Sequence, residues 1–442
     1  MSQPVARVVD LTDPALTSLV RVSLDDARAR VARGDADGVA ALEGSYALVG
    51  VDGIAVRLAR SLDRPLRYFL AKEADGPVLV VADRIDAIAR WLSANGHADQ
   101  FHPSYTRMVP AHHLATVRLV GCPDPEPSYV RTFTPTRNAL PADLDAIGRL
   151  YVSALADEIA GWIDRAPADE PLGVCFSGGI DSGAVFLVTQ HVLRRLGMSP
   201  ARLKAFTLTL GEGPDLAQAR AFLEAVDMGL FLESVEADAA SLDPFEAVRV
   251  IEDYKPLDVE SATMALALLG GIRARYPDWK LLLDGDGGDE NLKDYPIEEN
   301  PELTIRSVVN NLLLYQEGWG VGSLKHSQTY TGGQSRSYAR TYAPLRKFGF
   351  SGFSPFTRPR VVAVAEGIPF ADLTRGRVER LYALKGEIVA RGVKAVTGLS
   401  MPVFPKRRFQ QGAGGAALHA QRFPYGEARY RQVLVEAYPG AA

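Results

Sequence analysis

The run LGVCFSGGIDS, residues 172–182, is a short apolar stretch that ends in a glycine-rich loop. Paired glycines let a backbone approach a phosphate closely, and their amide groups can form an anion cradle. A helix expected to begin near Ser182 would place its positive end beside the same loop. Asp181 can hold a divalent cation there, and Ser177 can donate a hydroxyl hydrogen bond. The pattern predicts a strand, a phosphate-binding loop and a helix.

The loop lacks the lysine followed by serine or threonine that closes a Walker A pattern, which disfavours kinase-type or GTPase-type use. Strand-like runs at residues 205–210 and 280–283 also end in turns rich in glycine or aspartate. Short apolar strands that alternate with helices predict a parallel sheet, and in such sheets ligands bind outside the carboxyl ends of the strands.

A second loop, DGDGGDE at residues 284–290, follows the run at 280–283. Its four carboxylates would repel one another without a counter-ion, and Mg²⁺ commonly bridges a carboxylate or two to substrate phosphates. The spacing does not fit an EF-hand calcium loop. An isolated acidic turn is usually only solvated, but the position of this one after an apolar strand favours binding of a metal ion and phosphate.

The chain has 442 residues, of which 47% are hydrophobic and 23% charged, as is typical of a globular protein with two domains. The first 120 residues show short alternating runs typical of antiparallel sheet, with helices expected at about 24–32 and 84–93. A proline-rich stretch then predicts a junction near 128–142. We therefore expect domains at 1–135 and 143–442, the second mostly helical toward its C-terminus.

Several classes of partner are disfavoured. The net charge of −4 argues against nucleic acid, and the two cysteines, Cys122 and Cys175, give neither a disulfide framework nor a metal cluster. No apolar stretch approaches the ~20 residues that cross a bilayer, and the N-terminus lacks the plan of a secretory signal. We expect a cytoplasmic enzyme with small-molecule substrates and no membrane contact, and a homodimer is left open as its assembly.

The two loops resemble those of the asparagine synthase family of ATP pyrophosphatases. Residues 177–182 are similar to its pyrophosphate loop, and residues 284–290 to its second motif, with Asp284 and Asp286 in place of serine and glutamate. Residues 406–414 resemble the segment that carries the catalytic lysine. The resemblance implies an α/β fold with two parts. One is an N-terminal Ntn-hydrolase-like αββα sandwich, and the other is a parallel-sheet synthetase domain of the adenine nucleotide α-hydrolase-like type with a helical C-terminal part.

The resemblance also implies two half-reactions that use ATP and Mg²⁺. A substrate carboxylate attacks ATP to form an acyl-adenylate with release of pyrophosphate, and an amine or ammonia then displaces AMP. The implied metal ligands are Asp181 and Asp289. The implied nucleotide-binding residues are Cys175, Ser177, Gly178, Gly179, Asp181, Ser182, Leu208, Asp284 and Gly285. Asp286 is the candidate to orient or deprotonate the amine. Lys406 is the candidate to stabilise the adenylate, with a solvated basic run or a nucleic-acid contact as the alternative.

Three departures from the family pattern bear on the substrates. A working glutaminase domain resembles hydrolases whose cysteine follows the initiator methionine, but Ser2 stands here. We therefore expect residues 1 to about 130 to be an inactive relic. Glu260 stands where asparagine synthetases have an arginine thought to hold aspartate. Phe353 and Arg358 stand where the family has an arginine and an aspartate, so asparagine is not the expected product.

The expected activity is an amide-forming ligase of specialised metabolism, such as antibiotic biosynthesis, without glutaminase activity. β-Lactam synthetases, which also lack the terminal cysteine, give an intramolecular alternative. They usually have a tyrosine at the place of Asp286 and a separate glutamate, a role for which Glu260 is a candidate. An RNA-modifying or sulfur-transfer enzyme and a catalytically silent binding protein are further alternatives. Residues 317–340 predict either a mobile surface loop or an active-site lid.

Overall fold

The computed structural model describes residues 7–74, 76–119, 127–211, 213–292, 338–375, 377, 380–405 and 412–438. Ser2, Cys122, Lys406 and residues 317–337 of the predicted loop or lid lie outside this part of the chain. Among the described residues, no helix is both long and apolar enough to cross a lipid bilayer.

Two four-stranded sheets form the centre of the N-terminal part. The strands are β1 (Arg7–Asp10), β2 (Ser18–Leu19), β3 (Gly44–Ser45), β4 (Ala47–Asp52), β5 (Ala55–Arg60), β6 (Arg67–Glu73), β7 (Gly76–Ala82), β8 (Arg107–Met108), β9 (His113–Arg118) and β10 (Ser128–Arg131). One sheet has the order β1-β7-β6-β8 and the other β10-β9-β5-β4, while β2 and β3 form a short ribbon. The pairs are antiparallel except for β1 with β7.

Helices cover the outer faces of these two sheets. They are α1 (Leu24–Arg33), α2 (Ala36–Ala40) and α3 (Ile85–Ala94). Successive side chains of a strand point to opposite faces, so Leu79 and Val81 of β7 pack between the sheets while Val78 and Val80 pack toward α3. A separate apolar cluster lies under α1. The layers are therefore helix, sheet, sheet and helix, and the predicted αββα sandwich is confirmed.

The second part is built on a five-stranded sheet. Its strands are β11 (Leu172–Cys175), β12 (Leu203–Thr209), β13 (Leu232–Glu236), β14 (Leu281–Leu283) and β15 (Ser351–Phe353). The order is β13-β12-β11-β14-β15 and every pair is parallel, which confirms the predicted parallel sheet. The three apolar runs of the sequence form the three central strands.

Helices cover both faces of this sheet and continue to the C-terminus. They are α4 (Leu144–Ile163), α5 (Ile180–Arg195), α6 (Pro214–Glu224), α7 (Pro244–Ile251), α8 (Pro256–Arg275), α9 (Gly288–Asn291), α10 (Ala343–Lys347), α11 (Pro359–Gly367), α12 (Phe370–Thr374), α13 (Leu381–Thr397), α14 (Gly415–Arg422) and α15 (Glu427–Glu436). A π-helical turn, Tyr338–Tyr342, precedes α10. Short 3₁₀ helices lie at Pro14–Leu16, Ala98–Gln100, Pro103–Tyr105, Pro200–Arg202, Gly229–Phe231, Ala239–Ser241 and Pro355–Thr357. The helix α5 begins at Ile180, two residues before the predicted start at Ser182.

The sandwich shares an apolar core with the second part, residues 143–438, which is called the synthetase part after the resemblance given above. Ile88 and Leu92 of α3 belong to the same buried cluster as Val248 and Ile251 of α7 and Val433 of α15. The strand β10 extends the N-terminal sheet into the predicted junction at 128–142, and α4 begins just beyond it. The two parts are thus continuous through buried side chains as well as through the chain.

Candidate active site

The glycine-rich loop joins the end of β11 to the first residue of α5. Gly178 has a φ of +69°, which glycine adopts without strain, and a Cβ there would lie 2.9 Å from the backbone of Ala219. Gly179 is the N-cap of this 16-residue helix, and because glycine has no side chain, it cannot cap the helix with a side-chain hydrogen bond. The first backbone N–H groups of α5 therefore have no intrahelical partner, and the positive helix end lies at the loop.

Two serine side chains fix the shape of this loop. Ser182 Oγ accepts a hydrogen bond from the backbone N–H of Ser177 at 3.2 Å, and the two hydroxyl oxygens are also 3.2 Å apart. Ser177 Oγ in turn accepts from the N–H of Gly179 at 3.3 Å. Both predicted hydroxyl groups therefore lie at the beginning of α5, where an anion would bind.

The acidic loop after β14 lies directly against the glycine-rich loop. A Cβ added to Gly285 would lie 2.8 Å from the backbone N of Ser182, and one added to Gly288 would lie 2.2 Å from Asp181 Oδ1. Gly287 between them has a φ of +96°, in the region that favours glycine. The absence of side chains at these positions is what lets the two predicted loops meet at one end of the sheet.

Asp181 and Asp289 meet at a lysine that the sequence did not single out. Lys385 Nζ donates to Asp181 Oδ2 at 2.6 Å and to Asp289 Oδ1 in a short contact. This lysine lies on α13 with 2% of its side chain exposed. Removal of a buried charge from water is costly unless partners compensate it, and here two carboxylates do so. The two predicted metal ligands therefore converge on one cationic group.

The chemistry of this pair fits Mg²⁺. Hard cations take oxygen ligands, and Mg²⁺ usually uses one or two carboxylates with phosphate and water oxygens completing its shell. Lys385 Nζ acts as the stand-in cation between Asp181 and Asp289. Over the described ranges, no three His, Cys, Asp or Glu side chains are grouped as metal ligands. Two carboxylates are therefore the donor set that these residues offer.

Asp284 and Asp286, two more of the four carboxylates of the acidic loop, differ in their surroundings. Asp284 Oδ1 accepts from the backbone N–H of Asp286 at 3.0 Å, and its Oδ2 accepts from Ser354 Oγ at 2.9 Å. Burial, with the nearby charge of Asp286, raises the pKa of Asp284 well above its usual range. Burial also raises the pKa of Asp286 to about 6, although the Arg340 guanidinium acts in the opposite direction. A carboxylate with such a pKa can take up a proton near neutral pH, as the predicted role of Asp286 requires.

The π-helical turn before α10 supplies the partners of this loop. Thr341 Oγ1 donates to Asp286 Oδ2 at 2.6 Å. Arg340 Nε lies 3.5 Å from Asp258 Oδ1, and its Nη1 lies 3.9 Å from Glu290 Oε1. Single π-helical turns are rare and are frequent at functional sites. This turn thus brings one hydroxyl and one guanidinium to a group of buried carboxylates.

Two of the predicted nucleotide-binding residues lie in one apolar cluster. Leu208 of β12 is 2% exposed, and Cys175 of the neighbouring strand β11 packs against the same cluster. Burial raises the pKa of the Cys175 thiol well above its usual range, and the charges of Asp284 and Asp286 act in the same direction. The thiol therefore stays neutral at physiological pH, and this wall of the site is apolar, as is common where a nucleobase binds.

Glu260 of α8 pairs with a histidine of α14. Glu260 Oε2 and His419 Nε2 are 3.1 Å apart, with 18% and 19% of the two side chains exposed. The segment before α14 is hydrogen-bonded to the end of β12, since the backbone N–H of Leu210 donates to the carbonyl of Ala413 at 3.0 Å. Lys406 lies outside the described residues, so its predicted role stays a prediction.

Arg60 of the sandwich and Arg358, one of the departures from the family pattern, both have structural partners. Arg60 Nε donates to the carbonyl of Val109 at 2.5 Å, and its Nη1 donates to backbone carbonyls within residues 61–64 at 2.9–3.3 Å. Arg358 Nη2 donates to Asp63 Oδ2 at 2.9 Å, across the boundary between sandwich and synthetase parts. Its guanidinium carbon lies 4.9 Å from the ring centroid of Phe353. Phe353 and Arg358, which replace the arginine and aspartate of the family pattern, are thus in contact with each other, and Arg358 also pairs with Asp63 of the sandwich.

Lys385 and Thr341 are two residues of the site that the sequence analysis missed. Lys385 interrupts the buried face that Ile388 and Val389 form on α13. A lysine on an apolar helix face requires a buried partner, so this interruption was an available signal. Thr341 carries no such signal, because a threonine outside a motif is compatible with any surface position.

Residues 160–344 match the family model of asparagine synthase. The matched stretch begins within α4, ends in α10 and contains both loops described above. No curated protein matches the chain at a significant level.

Proposed function

We propose that the chain is a ligase of the asparagine synthase family, whose model matches residues 160–344, and that it uses ATP to form carbon–nitrogen bonds. The enzyme adenylates a small-molecule carboxylate with release of pyrophosphate, and it then transfers the acyl group to an amine with release of AMP. The reaction uses ATP and Mg²⁺, takes place in the cytoplasm and serves specialised metabolism, such as antibiotic biosynthesis.

The observation that carries this proposal is the meeting of Asp181 and Asp289 at Lys385. These groups lie beside the Gly178–Gly179 turn and the N-terminus of α5. A triphosphate needs positive charge, backbone N–H donors and metal-binding carboxylates within a few ångströms of one another. A cationic group, a helix N-terminus and two candidate metal-binding carboxylates lie at the carboxyl ends of β11 and β14, where ligands of parallel sheets bind.

In the first half-reaction, the residues of the glycine-rich loop bind and orient the pyrophosphate end of ATP. The N–H groups of the first turn of α5, at the positive end of the helix, would stabilise the negative charge that grows on the leaving group. Mg²⁺ held by Asp181 and Asp289 would neutralise phosphate charge. Lys385 keeps the two carboxylates oriented, because its ammonium group contacts both.

In the second half-reaction, Asp286 is the candidate to accept the proton of the attacking amine. Its pKa of about 6, raised by burial, makes it a better base than an exposed aspartate. The hydroxyl of Thr341 fixes the orientation of Oδ2 at 2.6 Å. By resemblance, Lys406 would stabilise the charge of the adenylate in this step.

The N-terminal sandwich takes no part in ammonia production under this proposal. Ser2 stands where the family's glutaminases have their cysteine nucleophile. The guanidinium of Arg60 is engaged with four backbone carbonyls rather than with an open pocket. We therefore expect ¹⁵N-amide-labelled glutamine to give no labelled product, whereas transfer of the label would overturn this part of the proposal.

The acid and the amine differ from aspartate and glutamine-derived ammonia. Glu260 carries the charge opposite to that of the arginine expected there, and it pairs with His419 at 3.1 Å. An aspartate carboxylate would be repelled from this position. If acid and amine belong to one molecule, the product is a lactam with the mass of the substrate minus water, so mass spectrometry of the product separates this alternative from an intermolecular amide.

The test is release of pyrophosphate against a panel of amino acids and related acids, with and without ammonia. We expect release to depend on one class of acid and to be abolished in Asp181→Asn and Asp289→Asn. Asp278→Asn, a change at an exposed turn, is the control and should retain full activity. Wild-type release in both site variants would reject the metal role. Failure of every acid to support ATP–pyrophosphate exchange would reject the ligase.

A further inference from the structure

A cavity of about 670 Å³ lies between the sandwich and the synthetase part. Leu11 and Ala87 line it from the sandwich, and Val250 and Tyr342 line it from the other side. Its volume lies in the range of pockets that hold small molecules. We propose that this cavity is a second binding site, separate from the nucleotide loops, and that it binds a small organic carboxylate with an apolar body.

The charges around the cavity favour an anion. Its lining contains five basic side chains, Arg84, Arg90, Arg249, Arg346 and Lys347, and four acidic ones, Asp13, Asp83, Asp86 and Glu246. The apolar lining residues supply contact for a hydrocarbon body, while charged groups fix the orientation of a ligand. The class of ligand therefore depends on which of these charges already have partners.

Three of the four acidic side chains are already neutralised by basic ones. Asp83 Oδ1 accepts from Arg64 Nη2 at 2.9 Å. Asp86 lies 3.1 Å from the Arg84 Nε and 3.5 Å from the Arg90 Nη1. Glu246 forms a short ion pair with Lys347. The fourth, Asp13, accepts from the backbone N–H of Ala15 as a helix cap.

Arg249 and Arg346 are the two basic residues of the cavity lining that take part in none of these ion pairs. Within the described part of the chain, neither guanidinium has a carboxylate at ion-pair distance. Both belong to the synthetase side of the cavity, on α7 and α10. A guanidinium binds a carboxylate through two parallel N–H···O bonds, which a cationic or neutral ligand cannot accept in the same way.

A buried arginine behind the cavity adds a second indication. Arg64 is fully buried, and its Nε and Nη1 have no hydrogen-bond partner in the regions that the structure describes. It lies behind two lining residues, since it bonds Asp83 and interacts electrostatically with Tyr342. These two donors lie behind the lining residues and not in the cavity wall, so they would reach an occupant only through a bridging water molecule.

The cavity adjoins the turn that serves the candidate active site. Tyr342 lines the cavity, and the preceding residue, Thr341, donates to Asp286. An occupant would therefore rest on the same π-helical turn that holds this carboxylate. The binding itself does not depend on the proposed ligase activity, so the two proposals can fail separately.

The test is titration of the full chain with hexanoate, with hexylammonium as the cation of equal length, by calorimetry or ligand-observed NMR. We expect saturable binding of hexanoate alone. Ala87→Trp fills the cavity and Arg346→Glu reverses a charge, so each should weaken hexanoate binding at least tenfold. Arg149→Glu on the exposed face of α4 is the matched control and should leave binding unchanged.

Three results would overturn the proposal. They are the absence of saturable hexanoate binding, equal binding of hexylammonium, and unchanged hexanoate affinity in Ala87→Trp. Circular dichroism and thermal melting establish that each variant is folded before titration. If Arg346→Glu fails to fold, Ala87→Trp and the hexylammonium comparison still decide the outcome.

Discussion

Glu252 Oε2 accepts a hydrogen bond from the backbone N–H of Ile85 at 2.9 Å, so the synthetase part caps a helix of the sandwich. Glu252 Oε1 accepts from the N–H of Asp86, also at 2.9 Å. The N-cap of that helix, Arg84, contributes no capping bond of its own. Glu252 has a φ of +51°, which costs a non-glycine residue about 1–2 kcal/mol. The bonds to α3 hold it in that conformation.

Replacement of this cap is the first prediction. Glu252→Gln keeps one acceptor oxygen, but it places an amide NH₂ against a backbone N–H and removes the charge that faces Arg84 at 3.3 Å. We expect the free energy of unfolding to fall by roughly 2–4 kcal/mol. Urea unfolding measures the change. Glu387→Gln, in an ion pair that is half exposed, is the control and should cost at most about 0.5 kcal/mol. Equal losses in the two variants would contradict the capping role.

The second prediction concerns Lys385. Lys385→Met leaves Asp181 and Asp289 without their buried cation, so we expect a loss of roughly 3–5 kcal/mol in stability when Mg²⁺ is absent. Added Mg²⁺ should restore part of that loss, because the ion binds the folded site and not the unfolded chain. Lys394→Met, at an exposed position of the same helix, should change stability by at most about 0.5 kcal/mol and should not respond to Mg²⁺. Thermal melts with and without the metal would reject the prediction if Lys385→Met behaves like this control.

A matched pair of glycines gives the third prediction. Gly178 and Gly197 have φ values of +69° and +70°, but a Cβ at Gly197 meets nothing within 4 Å. Gly197→Ala should therefore cost only the strain of the left-handed conformation, about 1–2 kcal/mol. Gly178→Ala adds a contact of 2.9 Å with the backbone of Ala219, so its loss should be at least about twice as large. Denaturant midpoints compare them, and equal costs would show that the loop tolerates a side chain.

The fourth prediction is a pH dependence at Asp286. Burial raises its folded pKa to about 6, while the unfolded value is about 4. The folded state therefore binds this proton more tightly, and the stabilisation is complete below pH 4 and lost as the pH rises through 6. Asp286→Asn does not titrate, so its stability relative to wild type should rise by about 1.4 kcal/mol per pH unit in that window. Unfolding curves at several pH values test this, and a difference that is flat between pH 4 and pH 6 would refute it.

Much of the fold could be predicted because its signals are local. The runs that form β11, β12 and β14 are apolar and are followed by turns rich in glycine or aspartate. The alternation of apolar and polar residues in 45–81 indicates the strands of the sandwich. Two strands of the parallel sheet escaped prediction. β15 has only three residues, and β13 contains one leucine and one valine among two glutamates and a serine, so neither resembles a buried parallel strand in sequence.

The site was predictable only where its residues lie in motifs. The two loops carry their glycines and carboxylates within a few residues, so their meeting at the sheet end could be inferred from topology. Lys385 contacts Asp181 across 204 positions of the chain, and Thr341 contacts Asp286 across 55. Such contacts follow from tertiary packing, which no local pattern encodes. The hydrogen bond between Glu252 and Ile85 could not be predicted for the same reason, since the two residues are 167 positions apart in the chain.

The shared apolar core has a consequence for how this chain can evolve. A gene shortened to the synthetase part would remove Ile88 and Leu92 of α3 from the cluster that contains Val248, Ile251 and Val433, and would expose part of that cluster. Exposed apolar surface of this kind promotes aggregation. Selection for the ligase would therefore retain the sandwich as a folding partner, whether or not the sandwich performs any chemistry of its own.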